Sequence, residues 1–242
     1  MRKMITCGDS HAGKWGWWSN GVEERMLKDY GIQLLYAGQG GRLMYKMAHR
    51  DSSDYRGDKS VIATNQIPHN SGPTVNLNSL QAGDIVVVQI GEIDSRIHIP
   101  KVAYTQGRSI QDVAREVGSK YMERLREWAK FKPHLTIIVV SVKPPDPYDH
   151  EDLAKFPTKE NWDEHTNWGR ASYRAKGVKA LNKSLKAGCR GRIIFADLYD
   201  EFADDNGFTD YEACGFTPED GCHIKNPEPF MKWFSENYDS FE

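Results

Sequence analysis

MRKMITCGDSHAG, residues 1–13, is the stretch whose reading decides the fold. Met4-Ile5-Thr6-Cys7 has the composition of a short buried strand, and it runs into Gly8-Asp9-Ser10-His11, a small polar turn of the kind that ends such a strand in an α/β sheet. A strand here puts Ser10 at the carboxyl edge of the sheet, where open α/β folds bind their ligands. Ser10 is therefore a candidate nucleophile, and a nucleophilic serine needs a histidine to take its proton and a carboxylate to orient that histidine. At the other end of the chain, Asp220-Gly221-Cys222-His223 supplies such a pair just ahead of a terminal helical pattern. Taken singly, Gly, Asp and Ser are ordinary turn formers and Asp220 could simply cap a helix. Their joint placement, at the first strand exit and in the last loop, is what singles them out.

Working outward, the same strand-helix alternation recurs. Gln33–Ala37, Ile85–Ile90, Leu135–Val140 and Arg192–Asp197 read as further strands, and Ile85-Val86-Val87-Val88-Gln89-Ile90 is the central one, apolar on both faces. Helical patterns fill Gly21–Tyr30, Arg42–Arg50, Ser109–Phe131, Trp168–Ala187 and Asn226–Tyr238. In the longest, Ile110, Val113, Val117, Tyr121, Leu125 and Trp128 form one apolar stripe. This order predicts a three-layer α/β/α sandwich with a five-stranded, mainly parallel sheet. No repeat or linker divides the chain, so residues 1–242 are expected to form one domain, with long excursions at about 51–78 and 143–167 on the substrate side. Lys14–Asn20 carries Trp15, Trp17 and Trp18. These either pack over the first helix or offer a flat apolar wall to a sugar ring or acyl group beside Ser10.

Composition narrows the partners. A formal net charge of −2, from 32 basic and 34 acidic side chains, predicts no strong field for nucleic acid or an anionic membrane. No apolar run reaches the length of a membrane span, and no charged leader precedes an apolar stretch, so a soluble protein not exported by a classical signal is expected. Cys7, Cys189, Cys214 and Cys222 lack paired spacing, which favours a reduced compartment without excluding a disulfide. Nothing indicates an oligomeric partner. Asp197, Asp200, Asp204 and Asp205 do not follow a calcium-loop pattern, and no cofactor or metal is expected.

Four short blocks carry a resemblance. With Gly-Asp-Ser at 8–10 and Asp-x-x-His at 220–223, the chain resembles the GDSL or SGNH superfamily of serine hydrolases, which implies the strand order 2-1-3-4-5. The resemblance also implies that Ser10 is the nucleophile and that Asp220 and His223 are the acid and base. The second strand empties into Gly38-Gln39-Gly40-Gly41. Two glycines three apart are similar to the family block whose later glycine gives a backbone N–H to the oxyanion hole, which makes Gly41 the donor and Gly40 its substitute. The third family block is Gly-x-Asn-Asp. Here Gly91 and Asp94 match, and Ile93 stands where the oxyanion-donating asparagine is expected. Loss of one such donor costs on the order of 10²–10³ in rate. Arg96 either turns inward to compensate or pairs with Glu92 or Asp94, and Glu92 and Asp94 are candidate substrate contacts. Some members are similar in carrying Gly-Glu-Ile-Asp followed by arginine, several of them linked to glycan modification.

The resulting expectation is a serine ester hydrolase acting on a small acyl ester, first of all an O-acetylated glycan. If a sugar hydroxyl replaces water, the same residues make an O-acyltransferase. With Ile93 at the asparagine place, a catalytically weak or inactive glycan-binding or structural domain is a competing reading. A smaller one is a metal-dependent phosphoesterase, since Asp9-Ser10-His11 also fits an Asp-x-His opening.

Overall fold

A computed structural model of the chain describes residues 1–12, 17–38, 44–48, 80–149, 168–217 and 223–241. Five strands, β1 (Arg2–Gly8), β2 (Ile32–Gly38), β3 (Ile85–Gln89), β4 (Thr136–Val140) and β5 (Ile193–Ala196), pair in the order β2-β1-β3-β4-β5, and every pairing is parallel. Their Val and Ile content explains the burial on both faces, since a parallel sheet with helices on each side leaves no polar face. One apolar cluster packs Ile5, Val86, Val88, Ile137 and Val139 beneath α2 (Met44–Ala48), α4 (Ile110–Lys130) and α5 (Ala171–Gly188). The other packs Met4, Ile85, Val87 and Ile138 against α1 (Val22–Tyr30) and α7 (Glu228–Asn237).

Local sequence sets the helix ends. The Ser109 hydroxyl accepts the Asp112 amide hydrogen and starts α4. Gly31 ends α1 in the left-handed region, its N–H donating to the Leu27 carbonyl. Close packing of α4 on α5 needs glycine: a Cβ on Gly188 would lie 2.5 Å from Met122 Cβ, and one on Gly118 2.8 Å from Ser184 Cβ. The segment after Gly91 is helical, as a π-helical turn at Asp94–His98 continuing into α3 (Ile99–Thr105). A short α6 (Tyr211–Cys214), begun by the Asp210 side chain, follows the 3-10 turn at Asp200–Phe202.

The registers place the site. Gly8 is level with both Gly38 and Gln89, so β1, β2 and β3 end together at the carboxyl edge. Among the described residues, no helix is long and apolar enough to cross a membrane. Most of the two expected excursions lies outside the described residues. The part of the second that is described, 143–149, is held by the buried Arg174, whose guanidinium donates to the carbonyls of Asp146, Tyr148, Trp168 and Gly169.

Candidate active site

The turn that carries Ser10 is built from the end of β1. Gly8 has φ +142°, and a Cβ there would fall 1.8 Å from the Gln89 carbonyl oxygen, so only glycine lets β1 and β3 approach this closely. Asp9 follows, 1% exposed, its N–H donating to Gln89 O. Its carboxylate accepts the backbone N–H groups of His11 (3.0 Å) and Gly91 (3.1 Å), tying the β1 exit to the β3 exit. Thr6, inside β1, donates its hydroxyl to the Ala12 carbonyl at 2.6 Å and closes the 3-10 turn Ser10–Ala12. Ser10 is thus left half-buried at the sheet edge.

His223 arrives from the other end of the chain. The residues after it are pinned by Lys225 N–H and Asn226 N–H to the Cys214 carbonyl, and by Asn20, whose amide donates to the Lys225 carbonyl. Its Nε2 lies 2.9 Å from Ser10 Oγ, across 213 residues of sequence. Burial first, then the charge of His11, hold the His223 imidazole down at about 3, with Arg96 and Lys143 acting in the same direction and Asp9 against them. The ring is therefore neutral at physiological pH, the state in which it can accept the serine proton.

Asp220, Gly40, Gly41 and Trp15 lie outside the described residues. Trp17 and Trp18 require a correction as substrate contacts, being 1% and 0% exposed. They pack with Phe202 and Phe230 in the core, and Trp18 Nε1 donates to the Gln89 side chain at 2.9 Å. Asp94 is also corrected. It is fully buried, and its two oxygens accept the amide hydrogens of Met44 (2.6 Å) and Tyr45 (2.9 Å), so it clamps the start of α2. Burial pushes this carboxyl up to about 7, the charges of Asp9 and Glu92 adding to the effect and the two amide bonds opposing it. Glu92 and Arg96 are both buried and pair with each other, Arg96 Nε to Glu92 Oε1 at 2.9 Å. Arg96 thus turns inward and pairs at once, and Glu92, its partner, lines the small cavities beside it. Ile93, at the asparagine place, is 6% exposed.

Two features were missed in the sequence. The first is a second buried ion pair, Lys143 Nζ to Asp146 Oδ1 at 3.1 Å, with Thr209 completing it. A Pro-rich charged stretch gives no sign that its charges are internal. The second is the contact of the His11 ring with His223, whose centroids are 4.7 Å apart. Its only signal was a histidine directly after the serine. A cavity of about 10 Å³, room for roughly one water, lies behind them, lined by Asp9, His11, Gln89, Glu92, Ser141 and Lys143 among others. Two roomier cavities, about 280 and 420 Å³, open at the opposite, amino edge near Arg192 and touch none of these site residues. Among the described residues, no three His, Cys, Asp or Glu side chains gather as metal ligands.

No family model matches the sequence, and no curated protein matches it. Solved structures do. The chain is similar to a gut microbial diltiazem-metabolizing enzyme at 15% identity and a TM-score of 0.52, covering 96% of this chain and 45% of that one. It is also similar to a protein of the G-D-S-L family from Desulfitobacterium hafniense (12% identity, all of both chains, TM-score 0.46). A family 3 carbohydrate esterase of Clostridium thermocellum aligns at 14% identity over 99% of this chain and 96% of that one, with a TM-score of 0.45. At such identities the likeness is one of fold. What is shared is a five-stranded parallel sheet of order 2-1-3-4-5 between helical layers, in which Gly8-Asp9-Ser10 leaves the first strand at the carboxyl edge.

Proposed function

We propose that the protein is a serine ester hydrolase acting on small acyl esters, with an O-acetylated carbohydrate as the substrate class to try first. The observation that carries this reading is the 2.9 Å contact between Ser10 Oγ and His223 Nε2 at the carboxyl edge of the sheet. In the reaction, Ser10 attacks the ester carbonyl while His223 takes its proton. His223 then returns that proton to the departing alcohol, and water releases the acid by the same steps in reverse order. Asp220, three residues before His223, is the proposed orienting carboxylate, and the amides of Ser10 and Gly41 are the proposed oxyanion donors. A sugar hydroxyl in place of water would make the enzyme an O-acyltransferase.

A second reading has its own observation. Ile93 is buried where the family's asparagine would donate a hydrogen bond, and Arg96 is committed to Glu92, which favours a slow enzyme or a glycan-binding domain.

The test is an ester screen of aryl acetates and O-acetylated sugars, run beside fluorophosphonate labelling on wild type, Ser10→Ala, His223→Ala and Ile93→Asn. The hydrolase reading expects labelling that vanishes in Ser10→Ala and falls by about 10² or more in His223→Ala. It expects Ile93→Asn to raise aryl acetate turnover. Equal background rates in all four proteins, with glycan binding retained, would establish the binding domain instead.

A further inference from the structure

We propose that His11, held by Asp9, is a positioning residue for the catalytic base: the Asp9–His11 pair fixes the plane of the His223 ring and biases the charge which that ring can carry. This rests on the Ser10–His223 reading above and assigns a task to a buried imidazole that the nucleophile and base do not themselves require.

The pair is built, not incidental. His11 is 3% exposed and Asp9 1%. Asp9 Oδ1 accepts the backbone N–H of His11 at 3.0 Å and faces its Nδ1 at 3.2 Å, while Oδ2 accepts the Gly91 N–H. With its acceptors so used, Asp9 selects the tautomer of His11 that carries a proton on Nδ1. The His11 ring then lies 4.7 Å from the His223 ring, tilted by 36°, and limits how that ring can turn away from Ser10.

The charge argument follows from the same contacts. When His11 is neutral, the pair carries the negative charge of Asp9, which favours the imidazolium that His223 becomes on taking the serine proton. When His11 is protonated, the pair is neutral and a cation stands beside the ring that must itself become a cation. The other charged groups around His11 come from the β3 exit and from the segment after β4. Glu92 is tied to Arg96 and Lys143 to Asp146, so each of these pairs is neutral within itself. Asp94, which acts on Asp9, takes up a proton through about 7 in wild type and variants alike, so that only a step abolished by substituting His11 belongs to His11. Arg96 and Lys143 still weigh against protonation of His223, but their charges stay constant as pH falls, whereas that of His11 changes. One unit charge at this separation, in a medium of intermediate dielectric, changes an equilibrium on the order of 10²-fold.

The test follows the rate of Ser10 labelling by a fluorophosphonate across the acid and neutral range in wild type, His11→Asn and His11→Phe. Asparagine keeps a donor for Asp9 without a titrating ring, and phenylalanine keeps the ring contact without charge or donor. Wild type should lose rate in two steps as pH falls, the first by about 10²-fold. Both variants should lose that first step, and the remaining His223 step should move to higher pH, since the opposing charge is gone. An unchanged two-step profile in a folded His11→Asn protein would overturn the inference and leave the nucleophile standing. Wild type unlabelled at every pH would overturn the hydrolase reading and this inference together. If both variants fail to fold, NMR titration of wild-type imidazole resonances decides. His223 signals that respond to protonation of His11 support the pair, and signals that ignore it overturn it.

Discussion

Asp94 shows how one carboxylate can matter to a site without touching a substrate. Its oxygens accept two successive amide hydrogens at the start of α2, and α2 begins three residues after Gly41 in the sequence. An asparagine at this position can accept only one of those bonds and would turn its own NH₂ toward the other amide. Asp94→Asn should therefore cost about 1–3 kcal/mol in urea unfolding near pH 5. The pH dependence has a definite sign. Burial raises the folded carboxyl to about 7 from its ordinary value of 3.8, so ionising it penalises the native state. The stability associated with its protonated form is fully present below the unfolded value and is lost as pH rises through about 7. The cost of Asp94→Asn should accordingly shrink between pH 5 and pH 8, because the asparagine never carries that penalty. A cost that stays constant over the same interval would show that Asp94 is ionised throughout. From the sequence, Asp94 was legible as part of a family block, but its task was not, because the amides it holds lie fifty residues away along the chain.

At the scale of the element, the site depends on three parallel strands ending level with one another. Gly8 sits where β1 must pass the Gln89 carbonyl, and Gly8→Ala would drive a Cβ into backbone oxygen that cannot move without breaking the ladder. We expect Gly8→Ala to lower stability by more than about 4 kcal/mol, read as a fall in Tm, with loss of Ser10 labelling in whatever fraction stays folded. Near-wild-type stability would mean that the strand exit is looser than its contacts require. The strands were legible because runs such as Ile85–Val88 are apolar at every position, which only a doubly covered strand or a buried helix permits, and their short length decides for strand. Helix α3 was not legible: Ile99-Pro100-Lys101-Val102 shows no sustained helical period, and Pro100 reads as a breaker unless it is known to occupy the first turn. Trp17 and Trp18 were ambiguous for a different reason. Their ring partners, Phe202 and Phe230, are nearly two hundred residues away, so nothing local separates an aromatic wall from a core.

Across the whole molecule, the two groups that meet at the candidate site, Ser10 and His223, come from opposite ends of the chain, and the fold must join those ends before they can meet. Their positions were marked in the sequence by short motifs, but their contact depends on tertiary packing, and α1 and α7 share one face of the sheet. That packing is aromatic: Phe234 of α7 meets Tyr30 of α1 at 5.1 Å and Phe241 at 5.3 Å, and Arg2 of β1 lies over the Tyr238 ring. The internal charges, Arg174 and the Lys143–Asp146 pair, were not readable at all, since charged side chains are by default surface groups and only three-dimensional neighbours reveal the exceptions. Phe234 is fully buried, and Phe234→Ala should remove about 3–5 kcal/mol from the seam between the chain ends. The effect should not be uniform. The β3-β4 ladder lies in the middle of the sheet, and although Ile85, Val87 and Ile138 share the cluster of Phe234, its other face is covered by α4 and α5 and keeps that cover when Phe234 is cut back. On heating Phe234→Ala, fluorophosphonate labelling of Ser10 should therefore fail at a lower temperature than far-UV circular dichroism, as the segment bearing His223 parts from the strand bearing Ser10. In wild type the two curves should lie close together. Coincident curves in the variant, both shifted down by the same amount, would instead show that the terminal seam and the central strands unfold as one cooperative unit.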